Sequence, residues 1–192
     1  MGKKGEETKR LIREKAISLF AQKGFKNVTM KDICCETGLS RGGLYRHYDS
    51  TRQIFSEIVN ELMSAQDNEL SEKMNQGRPA PQILEEILDR YCREMSDRYT
   101  SLSAAIFEFY SEQQQDSSNH MLLKQYAASV DMWRTFISYG AERGEFKTVD
   151  AAEIIDVILF SYQGVRMFST IMPLDEQIPR RIISHVKKAL LP

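Results

Sequence analysis

The sequence predicts an all-α protein of about nine helices, with a small three-helix head and a larger helical bundle behind it. Three observations carry that expectation. Apolar residues recur every third or fourth position in each long segment, and no segment alternates as a strand would. Glycine and proline stand between the periodic segments, at Gly24, Gly38, Pro79, Pro81, Gly144 and Pro173. Charge is also divided unevenly along the chain.

The first helix runs from about residue 6 to 23, with Ile12, Ala16, Leu19 and Phe20 on one face, and stops at Gly24. Thr29 is a good N-cap for the second, and Asp32 three positions on completes a near capping box. Met30 with Ile33 and Cys34 with Thr37 form its apolar stripe, and Gly38 suits a left-handed C-terminal turn. Leu39 closes that turn, and Ser40 caps a third helix carrying Arg41, Tyr45, Arg46 and His47. Gly42 and Gly43 within it each cost roughly 1 kcal/mol relative to alanine. A short helix with both glycines suits close approach to an anionic surface; the plainer alternative is a two-helix connector with a basic face.

Residues 50–53 read as a capping box for a long fourth helix to about residue 74. Pro79 and Pro81 start a helix through Ile83, Ile87, Tyr91 and Met95. Further helices are expected over about 102–110, 121–143, 150–172 and 179–190, with a polar loop at 113–119.

Charge separates the two parts. Residues 1–52 hold twelve Lys/Arg against six Asp/Glu; from totals of 26 and 27, that leaves fourteen against twenty-one for residues 53–192. A basic head on an acidic body is the footprint of a nucleic-acid module fused to something that is not one. The expected boundaries are 1–52 for a helix-turn-helix DNA-binding domain, linked through a helix over about 50–75, and 53–192 for the second domain.

From Leu11 to Leu62 the chain resembles the amino-terminal domain of the TetR family of transcriptional regulators. The resemblance rests on Ile12, Ala16 to Phe20, Gly24-Phe25, Val28-Thr29-Met30, Asp32-Ile33, Gly38-Leu39-Ser40, Gly43-Leu44-Tyr45, His47-Tyr48 and Ile54. Tyr48 stands where the family usually has Phe, and Thr51 where a Lys often contacts phosphate; Arg52 is a candidate to supply that charge. The resemblance implies a ligand-responsive repressor that binds a palindromic operator as a homodimer. Thr29, Lys31, Ser40, Tyr45, His47 and Thr51 are then candidate phosphate contacts. Arg41 and Arg46 are candidates for base edges, with the Gly42 and Gly43 backbone deep in the groove.

Two late segments are apolar on more than one face. Ile155, Ile158, Leu159 and Tyr162 belong to one, and Ile182, Ile183 and Val186 to the other. Both sets are either core or a self-pairing surface about a two-fold axis. The resemblance implies pairing, because those proteins dimerise through their last two helices. An aromatic and methionine set is either core or the lining of an effector pocket for a small apolar or aromatic molecule. It includes Tyr91, Met95, Phe107, Phe109, Tyr110, Trp133, Phe136 and Tyr162, with Arg166, Glu108 or Gln163 as a polar anchor.

Catalysis is not expected. The three histidines are far apart, no Glu-x-x-His or His-x-x-x-His pair occurs, and there is no phosphate loop or nucleophile elbow. No catalytic residue, metal site or cofactor is therefore expected. The contrasting class is a helical protein-interaction adaptor without DNA binding. Three cysteines fit a reducing cytoplasm, no secretory signal is read at the amino terminus, and the longest apolar run (Val157 to Phe160) is too short to span a bilayer.

Overall fold

The computed structural model describes residues 3–97, 102–112 and 121–192. Among them are nine helices and no strand. They are α1 (Lys3–Lys23), α2 (Met30–Thr37), α3 (Arg41–Tyr45), α4 (Thr51–Asn75), α5 (Ala80–Ser96), α6 (Ser103–Ser111), α7 (Met121–Glu142), α8 (Ala151–Ser169) and α9 (Gln177–Leu190). The polar loop expected at 113–119 lies outside the described residues. No helix among those described is long and apolar enough to cross a membrane.

The chain divides into two compact units, and the division falls inside α4, between Ser64 and Ala65. The first unit holds α1 to α3, the first half of α4, and α6. Its core repeats at helical spacing: Ile12, Ala16 and Phe20 from α1, Ile33 from α2, Leu44 from α3, and Ile54, Phe55 and Ile58 from α4 are all buried. Phe20, Phe25, Phe55 and Phe109 form one aromatic cluster, with the Phe109 ring centroid 5.1 Å from both Phe25 and Phe55. Phe109 comes from α6, so a helix distant in sequence completes the core of the head. The chain thus departs from a 1–52 and 53–192 division by placing both residues 53–64 and α6 with the first unit.

The second unit holds the rest of α4 with α5, α7, α8 and α9. The buried face of α5 is Ile83, Leu84, Ile87, Leu88, Tyr91 and Met95, packed with Trp133 and Phe136 of α7 and with Ile155, Ile158 and Tyr162 of α8. Ile183, Val186 and Leu190 close it from α9. The amino-terminal end of α5 has no side-chain cap of its own; Glu145 supplies one from afar, accepting from the Ala80 N–H at 2.6 Å. Tyr139 donates to the Arg78 carbonyl at 2.7 Å, and the Lys147 N–H to that of Leu190 at 2.8 Å, so loop backbone polar groups are also paired.

Candidate nucleic-acid interface

The turn between α2 and α3 is fixed by local chemistry. Thr29 and Asp32 form the expected box: the Asp32 N–H donates to Thr29 Oγ1 at 3.2 Å, and the Thr29 N–H to Asp32 Oδ2 at 2.9 Å. Lys23 reaches the other Asp32 oxygen at 2.8 Å. This ion pair and the Thr29 hydrogen bonds hold the Asp32 carboxyl far below its ordinary range. Gly38 ends α2 at φ 70°, a left-handed conformation that strains side-chain-bearing residues. Ser40 then caps α3, its Oγ accepting from the Gly43 N–H at 3.1 Å.

Only Leu44 of α3 is buried; Arg41, Gly42, Tyr45 and the following Arg46 are exposed. Tyr45 is 40% exposed, and the Arg41 guanidinium lies over its ring at 5.5 Å. Tyr45 is therefore not a core residue of the head. A Cβ at Gly42 would meet nothing within 4 Å, so no packing inside the protein requires glycine there. What remains is a surface bare of side chain between two exposed arginines. Lys31 is exposed, while His47 is half-buried and its Nδ1 meets no hydrogen-bond partner among the described residues. Thr51 opens α4, where the Gln53 N–H donates to Ser50 Oγ at 3.2 Å and Gln53 Oε1 accepts from the Asp49 N–H at 3.0 Å.

The candidate phosphate hydroxyls are not equivalent. Thr29 Oγ1 donates to Asp32, so its proton is taken. Among the described residues Ser40 Oγ only accepts, which leaves its proton available to an oxygen from outside. Arg52 faces a rival: it lies 2.8 Å from Glu112 at the end of α6 and stacks over Phe25 and Phe109.

The aromatic residues read from the sequence as one lining set are redistributed. Phe109 lies in the head core, Phe107 is 54% exposed, and Tyr110 flanks Phe109 on α6. These three belong to the first unit because α6 packs on α1 and its Phe109 closes the phenylalanine cluster. Tyr91, Met95, Trp133, Phe136, Tyr162 and Arg166 do meet in the second unit. Tyr91 and Tyr162 stack at 4.2 Å, and Trp133 sits edge-on to Tyr91 at 6.2 Å. Tyr162 donates to Glu94 and accepts from Arg166 Nη1 at 2.8 Å; burial pushes its hydroxyl well above the ordinary tyrosine range. Glu108, weighed as an effector anchor, instead accepts from the Lys26 N–H at 2.9 Å in the head.

The residues expected at a self-pairing surface are also relocated. Ile155, Ile158, Tyr162, Ile183 and Val186 are buried within a single chain, in the same core cluster as Trp133 and Tyr91. Leu159 and Ile182 are half-buried. The exposed apolar residues of α8 lie on its other side: Phe160 and Phe168, with half-buried Val157 and Gly164 in line with them, spaced three and four apart. Phe160 is 65% exposed and Phe168 50%. Periodicity marks α8 as apolar on more than one face, yet does not say which side the chain covers itself.

The family model "Bacterial regulatory proteins, tetR family" matches residues 12–58, and "Tetracyclin repressor-like, C-terminal domain" matches residues 83–177. The chain belongs to the TetR family of transcriptional regulators, and so to DNA-binding regulators rather than enzymes. It is 28% identical over 139 residues to the HTH-type transcriptional regulator YfiR of Bacillus subtilis, covering 72% of this chain and 67% of that one. It is 26% identical over 88 residues to IcaR of Staphylococcus aureus, negative regulator of the biofilm operon icaADBC, and the match spans 46% of this chain and about half (47%) of IcaR. A TetR regulator structure from Chloroflexus aurantiacus superposes with a TM-score of 0.73 at 23% identity, covering 100% of both chains, and so shares the fold.

Proposed function

We propose that the protein is a ligand-responsive repressor that binds a palindromic operator as a homodimer and leaves it when a small apolar or aromatic effector binds. The observation that carries the DNA-binding part is the exposed face of α3. Arg41, Tyr45 and Arg46 project around a glycine that nothing inside the protein demands.

Arg41, and Arg46 beside it, reach base edges; one arginine bidentate to guanine gives about 1–3 kcal/mol of discrimination. Lys31, Ser40, Tyr45, His47 and Thr51 hold phosphates, Thr29 contributes through its cap rather than its hydroxyl proton, and the Gly42-Gly43 backbone lies against the groove wall. Two heads read half-sites about 34–36 Å apart. Pairing uses the side of α8 and α9 that carries exposed Phe160 and Phe168, flanked by half-buried Val157, Gly164, Ile178 and Ile182 and joined at its edge by Leu159.

The effector site is the Tyr91, Trp133, Phe136 and Tyr162 cluster with Met95 beneath it and Arg166 at its polar edge. At 4.2 Å the two stacked tyrosines leave no space for a guest between them, so an effector must favour a second packing of α5 against α8. IcaR, a negative regulator, supports repression as the mode.

Selection of bound fragments from random duplex DNA tests the reading. Recovered sites should show inverted symmetry with half-sites one helical turn apart. Sites without symmetry, or no enrichment at all, would contradict it.

A further inference from the structure

We propose that the cleft between α5 and α9 binds an elongated small molecule carrying an anionic group at each end. The cleft is built wholly from the second unit and is about 600 Å³ in volume. Four cations line it, Arg93 from α5 and Arg180, Lys187 and Lys188 from α9, against one carboxylate, Asp89. Residues 53–192 carry fourteen basic groups against twenty-one acidic ones, so four to one in a single cleft reverses the surrounding balance. Among the described residues no carboxylate lies within ion-pair distance of Arg93, Arg180 or Lys188, whereas Lys187 pairs with Glu85 at 2.5 Å. Unanswered cations gathered on two facing helices repel one another and gain from a shared anion.

The Glu85–Lys187 pair fixes the register. α5 and α9 run antiparallel, so advancing along α5 from Glu85 to Arg93 leads back along α9 from Lys187 toward Arg180. Arg93 and Arg180 therefore form one basic end, and Lys187 and Lys188 the other. Eight residues of α9 separate Arg180 from Lys188, about 12 Å at 1.5 Å per residue. Between the ends lies buried Ile183 as an apolar floor, with Asp89 on the rim and half-buried Cys92 beside the Arg93 end. A carboxylate midway disfavours a continuous polyanion and fits a guest whose middle is uncharged. Carboxylate and phosphate ends share this chemistry.

Calorimetric titration of the full chain at low ionic strength tests the site. Sebacate, a dicarboxylate, and octane-1,8-diol bisphosphate distinguish the two kinds of end; binding of either supports the proposal. Arg180→Gln and Lys188→Gln, both at exposed positions, should each raise Kd at least tenfold. Arg181→Gln, on the same helix but paired with Asp175, should leave Kd unchanged. The proposal is overturned if neither probe binds, if Arg181→Gln weakens binding as much as Arg180→Gln, or if decanoate or pyrophosphate binds equally well.

Discussion

The Arg13 guanidinium donates from Nη1 to the Tyr48 hydroxyl at 2.9 Å, and that hydroxyl donates in turn to Glu57 at 2.7 Å. Arg13 is only 7% exposed, and it also meets Glu61 at 2.8 Å and Glu57 at 3.3 Å. One buried cation thus ties α1 to the first half of α4 through the oxygen that distinguishes Tyr48 from phenylalanine. Tyr48→Phe keeps the ring and removes one buried hydrogen-bonding group, so it should cost about 1 kcal/mol of stability. Arg13→Met should cost more, about 2 kcal/mol, because it leaves two carboxylates and a hydroxyl without their shared donor. Denaturant unfolding of the two variants checks the order.

Gly42 and Gly24 should respond oppositely to alanine. At Gly42 the new methyl meets open space in the free protein, so Gly42→Ala should leave stability unchanged or raise it by up to about 1 kcal/mol. The same methyl obstructs close approach to DNA, and affinity for a selected operator should fall at least tenfold. Gly24 has φ 76°, and a Cβ there would stand 2.7 Å from a Glu108 oxygen. Gly24→Ala should therefore destabilise the head and disturb the Lys26–Glu108 contact with α6. Paired melting and DNA-binding curves for both variants separate these outcomes.

The Phe109 ring makes α6 part of the head core. Phe109→Ala should cost about 3–5 kcal/mol. Hydrogen exchange should speed up in α6 and in the neighbouring stretches around Phe25 and Phe55, which share the cluster.

Acid should loosen the start of α2. Lys23 and the Thr29 hydrogen bonds hold Asp32 below the ordinary value of 3.8. A carboxyl depressed on folding stabilises the native state above that ordinary value, and the contribution disappears as pH falls through the folded one. Amide exchange at Ile33 and its neighbours should therefore rise below about pH 4 in the wild type. In Asp32→Asn this part of the acid response should be missing. An identical acid profile in both proteins would show that the box has no part in it.

Much of this was legible in the residues because the signals are local. The Thr29–Asp32 box, the Gly38 turn and the Ser40 cap each depend on a few adjacent positions and stand in the structure with the bonds expected. The basic third helix was equally visible. The destination of α6 was not. Phe109 looks the same whether it fills the head or lines a distant pocket, since periodicity marks a buried face without naming its partner. The same ambiguity holds for α8, whose buried Ile155 and Ile158 and exposed Phe160 and Phe168 are all apolar. The α5–α9 cleft was invisible for a related reason: Arg93 and Arg180 are 87 positions apart and meet only through helix packing.

Self-pairing through α8 has its own direct check. Phe168→Asp places a charge on the uncovered stripe without touching the core, so the variant should stay folded and sediment as a monomer. Operator affinity should drop with it, because one head alone engages one half-site. A variant that remains dimeric would move the interface elsewhere.

The most direct test of the whole account is the salt dependence of binding to a selected duplex, measured by fluorescence anisotropy for the wild type and Arg41→Ala. The logarithm of the wild-type affinity should fall linearly with the logarithm of salt concentration, by about 0.9 per phosphate neutralised, and Arg41→Ala should flatten preference among operator variants. A wild-type affinity indifferent to salt, or a mutant with unchanged preference, would contradict the placement of α3 in the groove.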